Sequence, residues 1–145
     1  MSIGSNKMMP ASTTLGDLFL SNALTETDQQ RLVRGLSLDS RTVKAGDVFF
    51  AYPGVVADGR QYIQAAAEKG AVAVIVESGE SQMFDWSDLN VPVLMVEDLR
   101  HAVGDIAASF WGMPSRQLTV VAVTGTNGKT SVTQMIAESI DSMGD

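Results

Sequence analysis

The sequence predicts an α/β chain in two parts. The first is a small N-terminal α/β domain with a mixed sheet; the second is an opening strand, a glycine loop and a helix. Three observations carry this prediction. Two apolar runs rich in β-branched and aromatic residues, Asp47 to Tyr52 and Ala71 to Val76, flank a helical segment from Arg60 to Lys69. Such a strand–helix–strand unit makes its strands parallel, with a right-handed crossover. A third run, Gln117 to Val123, leads at once into Gly125-Thr126-Asn127-Gly128-Lys129-Thr130 and then a helical pattern.

The elements follow in order. Residues 1–14 are polar and small, and read as a flexible terminus. Leu15 to Leu24 reads as a short helix, with Leu15, Leu18, Phe19 and Leu24 apolar. Leu36-Ser37-Leu38 alternates like a strand and ends at Asp39-Ser40-Arg41, and Ala45-Gly46 makes a turn. The Asp47–Tyr52 strand is broken by Pro53-Gly54, with a second turn at Asp58-Gly59. In the next helix Ile63, Ala66 and Ala67 face inward, and Gly70 stops it. Ser78 to Asn90 reads as a loop and Pro92 to Val96 as a strand. Leu99 to Trp111 has Leu99, Ala102, Val103, Ile106, Ala107 and Phe110 on one helical face. Gly112-Met113-Pro114 reads as a domain boundary, which divides the chain into 15–114 and 115–145. The last helix runs from Lys129 to about Met143, with Met135 and Met143 on its inner face.

Composition narrows the function classes. The net charge is −7 and no Lys/Arg cluster occurs, which argues against nucleic acid as a partner. An anion site here must build its positive potential locally, from backbone N–H groups and one or two cations. The absence of cysteine removes disulfides, thiolate zinc sites and cysteine nucleophiles, and fits a reducing cytoplasm. No apolar stretch is long enough to span a membrane, and the N-terminus lacks a signal-peptide core.

The glycine loop has the composition of a phosphate cradle. Phosphate oxygens need several N–H donors converging on one point. Small residues leave the backbone uncovered, and the following helix aims its free N–H groups and positive dipole end at the anion. Gly125, Thr126, Asn127, Gly128, Lys129, Thr130 and Ser131 are the candidate ATP-binding residues. Lys129 is the candidate catalytic residue, a point charge on the β/γ-phosphates, and the Thr130 hydroxyl is the candidate ligand to Mg²⁺. The general pattern G-x-x-x-x-G-K-[ST] asks for glycine where Val123 stands. An ordinary strand-to-helix turn capped by Thr124 or Thr126 does not account for two glycines and a lysine together.

The segment Thr124-Gly125-Thr126-Asn127-Gly128-Lys129-Thr130 resembles the shortened loop of the Mur ligase family. The resemblance continues upstream through Leu38-Asp39-Ser40-Arg41, Ala45-Gly46-Asp47-Val48-Phe49-Phe50-Ala51, Gly54, Asp58-Gly59-Arg60 and Gly70-Ala71-Val72-Ala73. It covers about Gly35 to Asp145. Thr126 and Gln134 fit the MurE type better than the MurF type, which usually has serine at the first of these.

The resemblance implies an ATP- and Mg²⁺-dependent ligase of cytoplasmic peptidoglycan precursor synthesis, monomeric at full length and free of nucleic-acid or membrane partners. Its substrates would be UDP-MurNAc-L-Ala-D-Glu and a diamino acid, meso-diaminopimelate being the commoner one. Residues 15–114 would be the UDP-MurNAc-binding domain, with Leu38, Ser40, Val55, Val56 and Ala57 at the substrate. The family often has His-Gln where Val55-Val56 stand, so backbone contacts are the ones expected to persist there. Residues 115–145 would open a P-loop ATPase domain that needs several further strands. The chain alone is therefore expected to expose apolar surface there, to lack ligase activity and to bind ATP weakly or not at all. A MurF-type ligase and a non-catalytic UDP-sugar-binding module are the alternatives; intact Lys129 and Thr130 argue against the second.

Other residues have plainer readings. His101 is a solvated helix position within reach of Asp105. Phe49 and Phe50 are core residues rather than base-stacking ones, and the methionines form no cofactor box. Trp86 has no assignment from sequence.

Overall fold

A computed structural model of the chain describes residues 13–19, 24–55, 57–79 and 84–143. The expectations for residues 1–12, for residues 20–23 of the first helix and for Val56 lie outside these. The chain divides into two compact units, 1–114 and 115–145.

In the first unit, a two-stranded antiparallel pair precedes a four-stranded parallel sheet. Strands β1 (Thr13–Thr14) and β2 (Leu32–Val33) form the pair. Between them lie two short helices, α1 (Leu15–Leu18) and α2 (Glu26–Gln29). A capping box closes the start of α1: Thr14 N–H donates to Asp17 Oδ2 at 2.8 Å and Asp17 N–H donates to Thr14 Oγ1 at 3.3 Å. The larger sheet holds β3 (Gly35–Ser37), β4 (Asp47–Ala51), β5 (Ala73–Glu77) and β6 (Val93–Val96), in that spatial order. All three of its ladders are parallel. The mixed pairing expected from sequence is thus present, but divided between two sheets.

The apolar runs are continuous because both faces of the parallel sheet are covered. Period-two alternation sends Val48 and Phe50 of β4, Ala73 and Ile75 of β5 and Leu94 of β6 to one face. Helix α4 (Leu99–Phe110) covers that face with Leu99 and Phe110, joined by Leu15, Phe19 and Leu24. Phe49, Ala51, Val74 and Val76 point to the other face. A 3₁₀ turn, Gly59–Tyr62, runs into helix α3 (Ile63–Glu68), which places Ile63 and Ala66 there. Trp86, Leu89 and Val91 pack on its margin, which gives Trp86 its role.

Two contacts fix the two ends of the central strands. Gly46 N–H donates to the Gly70 carbonyl at 2.9 Å, and Gly70 has a φ of +94°. A Cβ on Gly70 would sit 3.1 Å from Ala45 Cα, so both handedness and space demand glycine. At the far end, Glu77 reaches across to the start of α4. Its carboxylate accepts from Asp98 N–H at 2.9 Å and Leu99 N–H at 2.8 Å. A side chain on a neighbouring strand thereby caps the helix whose own Asp98 makes no capping bond.

The second unit corrects one expectation. Residues 118–124 pair with no strand among those described. A strand is held by its ladder to a neighbour, and apolar sequence alone does not supply one. Leu118, Val120 and Val121 are accordingly exposed. Helix α5 (Lys129–Met143) forms as expected. Met135, expected on its inner face, is 65% exposed, beside exposed Val132 and Ile140. No helix among the described residues is long and apolar enough to cross a membrane.

Candidate functional site

A cleft of about 520 Å³ opens at the C-terminal ends of β3 and β4. Ligands of open α/β sheets bind outside these ends, where the loops diverge. Two loops and the 3₁₀ turn build it. Leu38, Asp39, Ser40 and Arg41 come from the loop after β3; Tyr52, Gly54 and Ala57 come from the loop after β4. Gly59 and Tyr62 of the 3₁₀ turn complete the rim.

The loop after β3 is held by its own side chains. Asp39 carboxylate oxygens accept from Arg41 Nη2 at 2.7 Å, from Arg41 Nε at 3.0 Å and from Arg41 N–H at 2.9 Å. The Asp39 carbonyl accepts from Thr42 N–H, Thr42 Oγ1 and Ser37 Oγ, each at 3.0 Å. The hydrogen bond from the Arg41 side chain, then that from its backbone, holds the Asp39 carboxyl down at about 2. From the end of α3, Lys69 Nζ donates to the Ser40 carbonyl at 2.8 Å and the Arg41 carbonyl at 3.1 Å.

The loop after β4 is a tight lariat. Gly54 N–H donates to the Ala57 carbonyl at 2.9 Å, and Gly59 N–H donates to the Tyr52 carbonyl at 3.1 Å. Arg60 anchors its base. The side chain is 6% exposed and forks onto Asp58, with Nη2–Oδ2 at 2.7 Å. Its Nη1 donates to the Gly79 carbonyl at 2.8 Å, and its guanidinium lies 5.2 Å from the Phe84 ring centroid. The Arg60 hydrogen bonds lower the Asp58 carboxyl below its ordinary value.

Of the five substrate-side residues expected from sequence, Leu38, Ser40 and Ala57 line the cleft. Val55 stands at the loop tip, 93% exposed and off the lining. Sequence reasoning missed Tyr52, Tyr62 and Lys69, and treated Asp58-Gly59 as a turn without Arg60 as its anchor. The signal was there in part: a fork needs Asp and Arg two residues apart, and both loops have that spacing.

The second candidate site is the glycine loop, Gly125 to Ser131. Gly128 takes a φ of +76° and feeds directly into α5. Lys129 Nζ folds back onto the Gly125 carbonyl at 2.7 Å, which closes the loop into a ring with the ammonium at its rim. Neither Thr124 nor Thr126 caps the helix, so the ordinary capped turn is not what forms. Among the described residues, no group accepts from the N–H groups of Lys129, Thr130 or Ser131, and the Thr130 hydroxyl has no partner. Three free N–H groups at a helix start, an ammonium and a hydroxyl beside them fit a phosphate with its magnesium ion.

His101 belongs to neither site. Its Nδ1 lies 2.6 Å from Asp98 Oδ1, so its partner is one turn before it rather than the Asp105 expected. The described residues contain no His/Cys/Asp/Glu group able to hold a metal.

A parallel sheet with a cleft at its strand ends, with a glycine loop that opens a helix further along the chain, defines an α/β protein whose class is set by its relatives. The profile of the Mur ligase family, catalytic domain, matches residues 32–111, and the chain belongs to that family. Among relatives, it is 46% identical over 125 residues to the UDP-N-acetylmuramoyl-L-alanyl-D-glutamate--2,6-diaminopimelate ligase of Pseudomonas syringae pv. tomato. That match covers 86% of this chain and 25% of the relative, so the chain spans about a quarter of the curated relatives' length. Among solved structures, another 2,6-diaminopimelate ligase of that name superposes with a TM-score of 0.65 at 27% identity, covering 92% of this chain and 26% of that one. MurF ligase from Thermotoga maritima in complex with ADP gives a TM-score of 0.50 at 34% identity over 68% of this chain and 21% of that one.

Proposed function

We propose that the chain is the N-terminal part of a MurE-type ligase, and that its cleft holds the uridine-diphosphate end of UDP-MurNAc-L-Ala-D-Glu. The observation that carries this reading is the cleft itself: Leu38, Ser40 and Ala57 converge at the strand ends of the parallel sheet, in a chain 46% identical over 125 residues to a 2,6-diaminopimelate ligase. Val55 and Val56 would contribute backbone groups only. Residues 15–114 are then the substrate-nucleotide domain, and residues 115–145 open the ATP domain.

The chemistry assigned to the whole protein is amide formation through an acyl phosphate. A carboxylate is a poor electrophile. Transfer of the ATP γ-phosphoryl group to the D-glutamate carboxylate supplies a leaving group. The diaminopimelate amine then attacks the acyl carbon, and inorganic phosphate departs as the amide forms. In this chain Gly125, Thr126, Asn127, Gly128 and Ser131 would cradle the nucleotide phosphates with backbone N–H groups. Lys129 would leave the Gly125 carbonyl for the β/γ-phosphates, and Thr130 would hold Mg²⁺, whose charge offsets that moved with the phosphoryl group. Diaminopimelate selection, cytoplasmic location and a monomeric full-length enzyme complete the reading.

The test is ADP release by the full-length protein with UDP-MurNAc-L-Ala-D-Glu, Mg-ATP and either meso-diaminopimelate or L-lysine. Release that needs both the nucleotide dipeptide and meso-diaminopimelate is expected. Release only with UDP-MurNAc-tripeptide and D-Ala-D-Ala would move the protein to the MurF type. Lys129→Ala should lower kcat by roughly 10²-fold or more.

A further inference from the structure

We propose that Lys69 is a positioning residue for the nucleotide cleft, holding the loop after β3 so that Ser40 presents its two donors to the ligand. The proposal rests on the cleft reading above and adds a residue outside the lining. Lys69 is the residue that caps the C-terminal end of α3, far from the loop in sequence. Its ammonium bridges two successive carbonyls, those of Ser40 and Arg41, across 29 and 28 residues of chain.

Satisfied groups show what this bridge does. The Arg41 N–H is committed to Asp39 Oδ1, the Thr42 N–H to the Asp39 carbonyl, and the Ser40 and Arg41 carbonyls to Lys69. Among the described residues, the Ser40 N–H and the Ser40 hydroxyl have no partner, as is also true of the Asp39 N–H. A peptide with both carbonyls drawn toward an ammonium cannot rotate freely, so the direction of the Ser40 donors is set from outside the loop. The same ammonium adds a positive charge behind a loop that would meet an anionic diphosphate in an otherwise acidic protein. Lys69 is solvent-exposed, so its replacement leaves the core intact.

The experiment uses the 145-residue chain, with uridine 5′-diphosphate as the probe and backbone amide exchange as a second readout. Lys69→Met should weaken uridine-diphosphate affinity roughly three- to tenfold and speed exchange at the Arg41 and Thr42 amides, while β4 and β5 amides keep their protection. Lys69→Arg, which retains charge and donors, should recover most of the affinity. Equal affinity for the unsubstituted and Lys69→Met chains, with unchanged exchange at residues 41 and 42, would overturn the positioning role. Failure of the unsubstituted chain to bind uridine diphosphate contradicts the cleft reading itself, a separately recognisable result.

Discussion

Arg60 is almost entirely buried, yet it carries a full charge, and its partners include Asp58 at the base of the loop after β4 and residues that follow β5. It forks onto Asp58, bonds the Gly79 carbonyl and lies over Phe84. Removing one partner of a buried pair leaves the other uncompensated, so Arg60→Met should cost about 3 kcal/mol, read by urea denaturation. Asp39 has the same fork in the open. Its folded-state value of about 2 lies below that of an unfolded chain, so the stability it contributes is present above about pH 4. That contribution is lost as pH falls through about 2. The Arg41 amide resonance should therefore shift in that acid window and stay constant from pH 5 to 8; Asp39→Asn should abolish the shift. Both forks were readable as Asp-x-Arg turns. Which side chains face a cleft was not, because Tyr52 and Tyr62 are brought to Ser40 by the sheet and not by local spacing.

At the scale of elements, the long apolar strands and α4 were legible because burial on both sheet faces writes continuous apolar runs into sequence. The two-residue strands β1 and β2 and the four-residue helix α2 were not, since no period can be read in so few positions, whereas α1 occupies the start of the helix expected over Leu15–Leu24 and ends at Leu18. The Gln117–Val123 run was read as a strand and has none, for the opposite reason: its composition is strand-like but no ladder partner accompanies it. Glu77 shows an inter-element device that composition hides. Glu77→Ala should cost about 1–2 kcal/mol, as loss of a helix cap does, and should raise exchange in the first turn of α4 specifically. Gly70→Ala meets both a left-handed φ and the Ala45 backbone, and should destabilise by about 1 kcal/mol or more in thermal unfolding.

Across the whole molecule, the two units differ in how much they bury. The first holds the core on both faces of its sheet, while residues 118–143 are mostly exposed, with Val120 at 74% and Met135 at 65%. A solitary helix of this length is marginal in water. Amides of β4 and β5 should therefore exchange only through global unfolding, and those of residues 118–128 at nearly unstructured rates. The same contrast predicts a division of labour in the chain as it stands: the cleft, seated on a buried sheet, is expected to bind its ligand, and the glycine loop, in an exposed segment, is expected to bind a nucleotide weakly.

That division is tested most directly by titrating the ¹⁵N-labelled chain with UDP-MurNAc-L-Ala-D-Glu and, separately, with Mg-ATP. The account predicts saturable shifts with the first ligand, confined to residues 38–41, 52–59 and 62, and little change at residues 125–131 with either. Absence of shifts around the cleft with UDP-MurNAc-L-Ala-D-Glu, or tight Mg-ATP binding at residues 125–131, would contradict it.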